Sequence, residues 1–114
     1  MNGSKDSLTK LVKSLNEATL DPTTEVVIAP PSIYLLSLQD LAQNGVQVAA
    51  QNAYFKESGA FTGEISPVQL RDAGINWVIL GHSERRSYFT ESSETIAKKT
   101  EAVGLITPTF SNTY

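Results

Sequence analysis

Asn76-Trp77-Val78-Ile79-Leu80-Gly81-His82-Ser83-Glu84-Arg85-Arg86 sets a short apolar run directly before a glycine and the chain's one histidine. An uninterrupted run of this length reads as a strand with apolar residues on both faces, the habit of parallel sheets. His82 then falls at the strand's carboxyl end, where βα folds place functional side chains. Working outward, Ser66-Pro67-Val68-Gln69 reads as an N-cap, a first-turn proline and a capping-box glutamine, opening a short helix that ends at Gly74. Val46 to Gln51 and Glu25 to Pro30 are two more strand candidates. Between them, Tyr34, Leu38, Leu41 and Ala42 keep helical spacing, and Asn44-Gly45 is a natural stop. Ahead of these, Ser4 or Asp6 can cap a helix carrying Leu8, Leu11, Val12 and Leu15, ended by Asp21-Pro22. Downstream, a fourth helix starts near Ser92 or Ser93 and runs through Ile96 to about Ala102. The resulting rhythm predicts an α/β fold with three parallel strands and about four helices, joined by right-handed crossovers.

An imidazole at a strand's carboxyl end can hydrogen-bond a substrate oxygen or shuttle a proton; a structural, hydrogen-bonded histidine is the other reading. Ser83-Glu84-Arg85-Arg86 reads as the first turn of a short helix. Its positive end disfavours an imidazolium, so a neutral His82 acting as an electrophile toward a carbonyl is expected. Glu84 reads equally as a partner for a nearby cation and as a carboxylate stabilising the helix start. The connection from Gln51 to Ile65 is long for a βα loop and holds Tyr54, Phe55 and Phe61. It fits an interaction surface and a locally packed loop equally well.

The chain has 114 residues, enough for one ordinary domain, and 40% of them are hydrophobic. There is no cysteine, which excludes disulfides, thiolate metal sites and a cysteine nucleophile. Net charge is −3, and the nine Lys and Arg are spread along the chain, against a nucleic-acid partner. The adjacent pairs Arg85-Arg86 and Lys98-Lys99 read as solvated surface. No run approaches the ~20 apolar residues of a membrane helix. The polar start, Met1 to Asp6, leads into no apolar signal region, so a soluble, non-exported chain is expected. No metal-ligand cluster, glycine-rich phosphate loop or nucleophile elbow is present, so no metal or cofactor is expected.

Four passages together resemble triosephosphate isomerase: Met1-Asn2-Gly3-Ser4; Ala29-Pro30-Pro31-Ser32-Ile33-Tyr34; Gln51-Asn52-Ala53-Tyr54 with Gly59 to Pro67; and Trp77 to Arg86. The resemblance runs almost continuously from Met1 to about Ala102. It implies a (βα)8 barrel, homodimeric and cytoplasmic. It further implies cofactor-free interconversion of glyceraldehyde 3-phosphate and dihydroxyacetone phosphate in glycolysis and gluconeogenesis. On this resemblance His82 is the electrophilic histidine, Ser83 contacts the base in the open enzyme, and Glu84 holds the catalytic lysine. The neutral histidine beside a glutamate base is the established description of this family rather than a deduction from these residues. The resemblance also implies that Asn2 lies at the substrate. The loop around Thr62 would reach into a second subunit, with Met1, Gln51, Gly63, Glu64 and Arg85 at the same interface.

The departures carry expectations of their own. The family's Asn-Trp-Lys segment, whose lysine steadies the phosphate and the developing enediolate, has no counterpart before Met1. Nothing matches the segments bearing the glutamate base, the closing loop or the phosphate site. Residues 1–102 are expected to form a partial barrel and 103–114 a divergent tail, since a complete barrel takes about 250 residues. Three strands cannot close, so open edges and apolar faces are expected, and with them an inactive isolated chain. The alternative is a non-catalytic fragment that binds full-length isomerase subunits. A small flavodoxin-type open sheet fits less well, because it usually has five strands and a phosphate loop.

Overall fold

The computed structural model describes residues 1–104 and the backbone of 111–112. Ser4 caps α1 (Lys5–Glu17), accepting a hydrogen bond from the Ser7 N–H while the Ser7 hydroxyl accepts one from Ser4 N–H, a reciprocal capping box. Ser4, not Asp6, is therefore the cap, and Asp6 pairs with Lys10 one turn on. The helix ends at Glu17, before Asp21-Pro22.

β1 (Val27–Ile28) is shorter than the apolar run around it. Among the described residues it pairs only with β2, and Pro30 and Pro31 have no N–H to extend a ladder. A 3₁₀ turn (Ser32–Tyr34) leads into α2 (Leu35–Leu41). The expected stop at Asn44-Gly45 comes earlier. Ala42 is already extended, and Asn44 and Gly45 form the centre of a tight turn closed by Val46 N–H to Gln43 O, 3.0 Å. Both have positive φ, +57° and +76°, where asparagine and glycine are the tolerated residues.

β2 (Gln47–Ala50), α3 (Pro67–Asp72) and β3 (Trp77–Leu80) follow. Ser66 caps α3 through the Gln69 N–H, with Pro67 in the first turn as expected. The Ser83 turn extends to a six-residue helix, α4 (Ser83–Tyr88), ahead of α5 (Ser93–Gly104). That raises the α-helices to five among the described residues.

The strands run parallel in the order β1-β2-β3. Val27 and Ile28 align with Gln47 and Val48; Ala49 and Ala50 align with Trp77 and Val78. A further two-residue strand, β4 (Ser111–Asn112), pairs parallel with Ile79 and Leu80 of β3. The rest of the divergent tail, beyond Gly104, lies outside the described residues.

Alternation splits the sheet into two faces. Val48, Ala50, Val78 and Leu80 meet Val12, Leu38 and Val103 from the helices, and Ile75 from the α3–β3 connection, in one core. On the other face Val27, Ala49, Trp77 and Ile79 line an open cleft of ≈ 250 Å³. Trp77 and Ile79 are only half-buried there, whereas Val78 and Leu80 are 1% exposed. Helices cover one face of these strands. The fold is α/β, part of a (βα)8 barrel with its interior face uncovered among the described residues.

Candidate active site

Gly81 turns the chain at the carboxyl end of β3 with φ +73°. A Cβ there would sit 3.1 Å from Ile96 Cγ2 and 3.2 Å from an Arg86 guanidinium nitrogen, so close approach as well as φ calls for glycine. His82 is then the N-cap of α4. Its Nδ1 accepts a hydrogen bond from Glu84 N–H at 3.1 Å. The Glu84 carboxylate stands 3.8 Å from the same nitrogen, too long for a hydrogen bond. With Nδ1 accepting, Nε2 is the nitrogen that carries the proton in a neutral ring. Capping α4 through Nδ1 is the structural part of the two readings of His82.

His82 lines an open cleft of ≈ 560 Å³ together with Met1, Gln51, Gly63, Glu64, Glu84 and Arg85. The candidate chemical residues and the candidate interface residues therefore share one depression. Asn2, Thr62 and Ser83 do not line it; all three are exposed. Among the described residues no group of acidic or histidine side chains could hold a metal.

The loop from Gln51 to Ile65 divides between its two readings. At its base Tyr54 packs on Phe55 and Phe61 with ring centres 4.3 and 4.9 Å apart, and Tyr54 N–H bonds Ile65 O at 2.8 Å. The Ser66 hydroxyl donates to Glu57 O at 2.5 Å. The tip, 58–64, is exposed, although Phe61 within it packs on Tyr54.

One cluster departs from the sequence reading. Lys98 is solvated, as expected, but Lys99 is 2% exposed. Its Nζ donates to Glu91 Oε2 at 2.9 Å and to Asn52 Oδ1 at 3.1 Å. Arg85 is not freely solvated either. Its Nε donates to the same Glu91 oxygen at 2.9 Å, and its guanidinium lies 4.6 Å over the Phe89 ring. Arg86 donates to Gly81 O at 3.0 Å and to the Ser93 hydroxyl at 3.2 Å. A buried ammonium persists only when paired, and Glu91 supplies the charge. Burial pushes the Glu91 pKa up, but hydrogen bonds from Lys99 and Arg85 and their positive charges prevail, leaving it below its ordinary 4.5. Ile96, Lys99 and Val103 share one helical face, so the spacing of Lys99 with apolar neighbours was the signal available in the sequence.

Parallel βα units with a glycine-turned histidine at a strand's carboxyl end fit part of a barrel of the enzyme-bearing (βα)8 class. A sequence profile described as triosephosphate isomerase matches residues 1–105. The triosephosphate isomerase of Coprinopsis cinerea is 68% identical over 92 residues, covering 81% of this chain and 37% of that protein. Those of Emericella nidulans and Zygosaccharomyces bailii are 54% and 51% identical, covering 90% and 93% of the chain. The chain belongs to the triosephosphate isomerase family. It spans 37% to 45% of the length of these three relatives.

Proposed function

We propose that this chain supplies the electrophilic half of a triose phosphate isomerase site, acting on glyceraldehyde 3-phosphate and dihydroxyacetone phosphate in cytoplasmic glycolysis and gluconeogenesis. One observation carries the reading: Nδ1 of His82 is occupied by the Glu84 N–H, which leaves Nε2–H to polarise a carbonyl oxygen in the cleft. Isomerisation also needs a base to take a carbon-bound proton and an anchor for the phosphate. The family's segments for the base, the lysine and the phosphate have no counterpart in these 114 residues. His82 can polarise an oxygen, but no matched residue removes the proton.

These 114 residues by themselves are therefore inactive. Purified from a host lacking its own isomerase and supplied with glyceraldehyde 3-phosphate, the chain is expected to give no turnover above buffer. Turnover abolished by His82→Gln would overturn this.

The exposed loop tip favours a second reading, a fragment that docks on intact isomerase subunits through Thr62, with Glu64 and Arg85 as intersubunit partners. No helix among the described residues is long and apolar enough to cross a membrane. Mixing tagged chain with an intact family homodimer separates the readings. Capture that is lost on Thr62→Arg supports docking; no capture removes it.

A further inference from the structure

We infer that Asn44-Gly45 is a deamidation site whose intact amide latches α1 to the α2–β2 connection, so that its hydrolysis releases the latch. Three observations converge on this turn. Asn44 Nδ2 donates to Leu15 O at 3.1 Å and to Ala18 O at 2.8 Å, carbonyls at the carboxyl end of α1, the first of which also accepts from Ala18 N–H at 3.3 Å. Asn44 is exposed, so water reaches it. Gly45 has no side chain, and nothing lies within 4 Å of where a Cβ would be, so the backbone has room to rearrange.

The chemistry needs only water. The Gly45 nitrogen attacks Asn44 Cγ; an N–Cγ bond forms, the Cγ–Nδ2 bond breaks, and ammonia leaves with the Gly45 amide proton. Water then opens the five-membered succinimide at either carbonyl, giving aspartate or isoaspartate and one added negative charge. The product has no N–H to offer Leu15 O and Ala18 O. Its carboxylate faces those carbonyls at the negative end of the α1 dipole. The isoaspartate form also adds a backbone methylene within a tight turn. Folding slows the reaction, because both amide hydrogens are held and Asn44 sits in the left-handed region, away from the geometry of attack. A second clasp remains afterwards: Asn16 Nδ2 donates to Leu41 O at 2.9 Å and Asn16 Oδ1 accepts from Gln43 N–H at 2.7 Å. The lesion therefore loosens the turn without freeing the whole helix.

Asn2-Gly3 carries the same dipeptide, and no hydrogen bond holds its side chain among the described residues, which makes it an internal reference. The full chain is incubated at mildly alkaline pH with and without urea, then peptide-mapped for acid and isoaspartyl forms. The acid fraction is separated by charge and its amide exchange compared with the intact fraction. In urea, Asn2 and Asn44 are expected to convert at similar rates. In native buffer, Asn44 should lag Asn2 yet still convert, and the Asn44-converted fraction should lose exchange protection at Val46, whose N–H closes the turn, while Gln43, held by Asn16, keeps it. Asn44→Asp, made directly, should show the same loss. An Asn44 peptide that stays amidated in native buffer after Asn2 has converted would overturn the inference. Equal protection of Val46 in the intact, converted and Asn44→Asp proteins would also overturn it.

Discussion

Glu91 shares one carboxylate oxygen between Lys99 and Arg85, while its other oxygen, Oε1, is buried without a hydrogen-bond partner among the described residues. Removing the carboxylate strands the Lys99 ammonium, 2% exposed, with the Asn52 amide oxygen in place of a counter-charge. Breaking a buried pair from one side costs about 3–5 kcal/mol. Glu91→Ala should therefore lose that much local protection in α5 by native-state amide exchange. Unchanged protection would mean that the cluster is not formed in solution. The pH dependence has a definite sign. The folded Glu91 pKa lies below the unfolded one, so its contribution is complete above the ordinary value of 4.5 and is lost as pH falls through the folded value. Protection of α5, corrected for intrinsic exchange, should hold level from neutrality into the ordinary carboxylate range and decline only below it. A decline near neutral pH would point to another group. This cluster was the least legible part of the sequence. Two adjacent lysines look alike in one dimension, and only the sheet-facing stripe of α5 separates Lys98 from Lys99. His82 was legible because glycine, histidine and the strand before them are contiguous. Its cap bond to Glu84 N–H follows from the same local turn.

At the scale of elements, strand and helix centres followed from periodicity, while their ends were set by partners distant in sequence. α1 stops at Glu17 rather than at Asp21, and the Asn44 side chain meets the carbonyls at its end. α2 stops at Leu41, with Asn16 reaching across to Leu41 O and Gln43 N–H. No window around either helix contains its own stop, because each borrows it from the other. The amino end of α1 is the contrary case, local and readable. Ser4 and Ser7 satisfy each other's backbone N–H groups on an exposed surface. Replacing an N-cap serine by alanine costs about 1 kcal/mol. Ser4→Ala should speed exchange in the first turn of α1 by a matching amount, with no change in α3 or α5. An effect spread over the whole chain would show that α1 does not open independently.

For the molecule as a whole, the uncovered sheet face decides behaviour in solution. Helices seal Val48, Ala50, Val78 and Leu80, but the half-buried Val27, Trp77 and Ile79 face a cleft open to water. Among the described residues β1 pairs on one side only, leaving strand N–H and C=O groups without a ladder. A contiguous apolar face beside a free strand edge drives association. The isolated chain is expected to sediment as a concentration-dependent mixture, to bind a hydrophobic dye, and to melt over a broad range. Trp77, the single tryptophan, reports on this face directly. Its emission should shift to the blue as concentration rises and the face is covered. Val27→Thr with Ile79→Thr keeps β-branched side chains and the helix-covered core while making the open face polar. That double variant should stay smaller at the same concentration and lose the emission shift. A parent chain that sediments as one monomer at all concentrations and melts sharply would show the open face to be tolerated by water. The three strands would then be a self-sufficient unit rather than part of a larger ring.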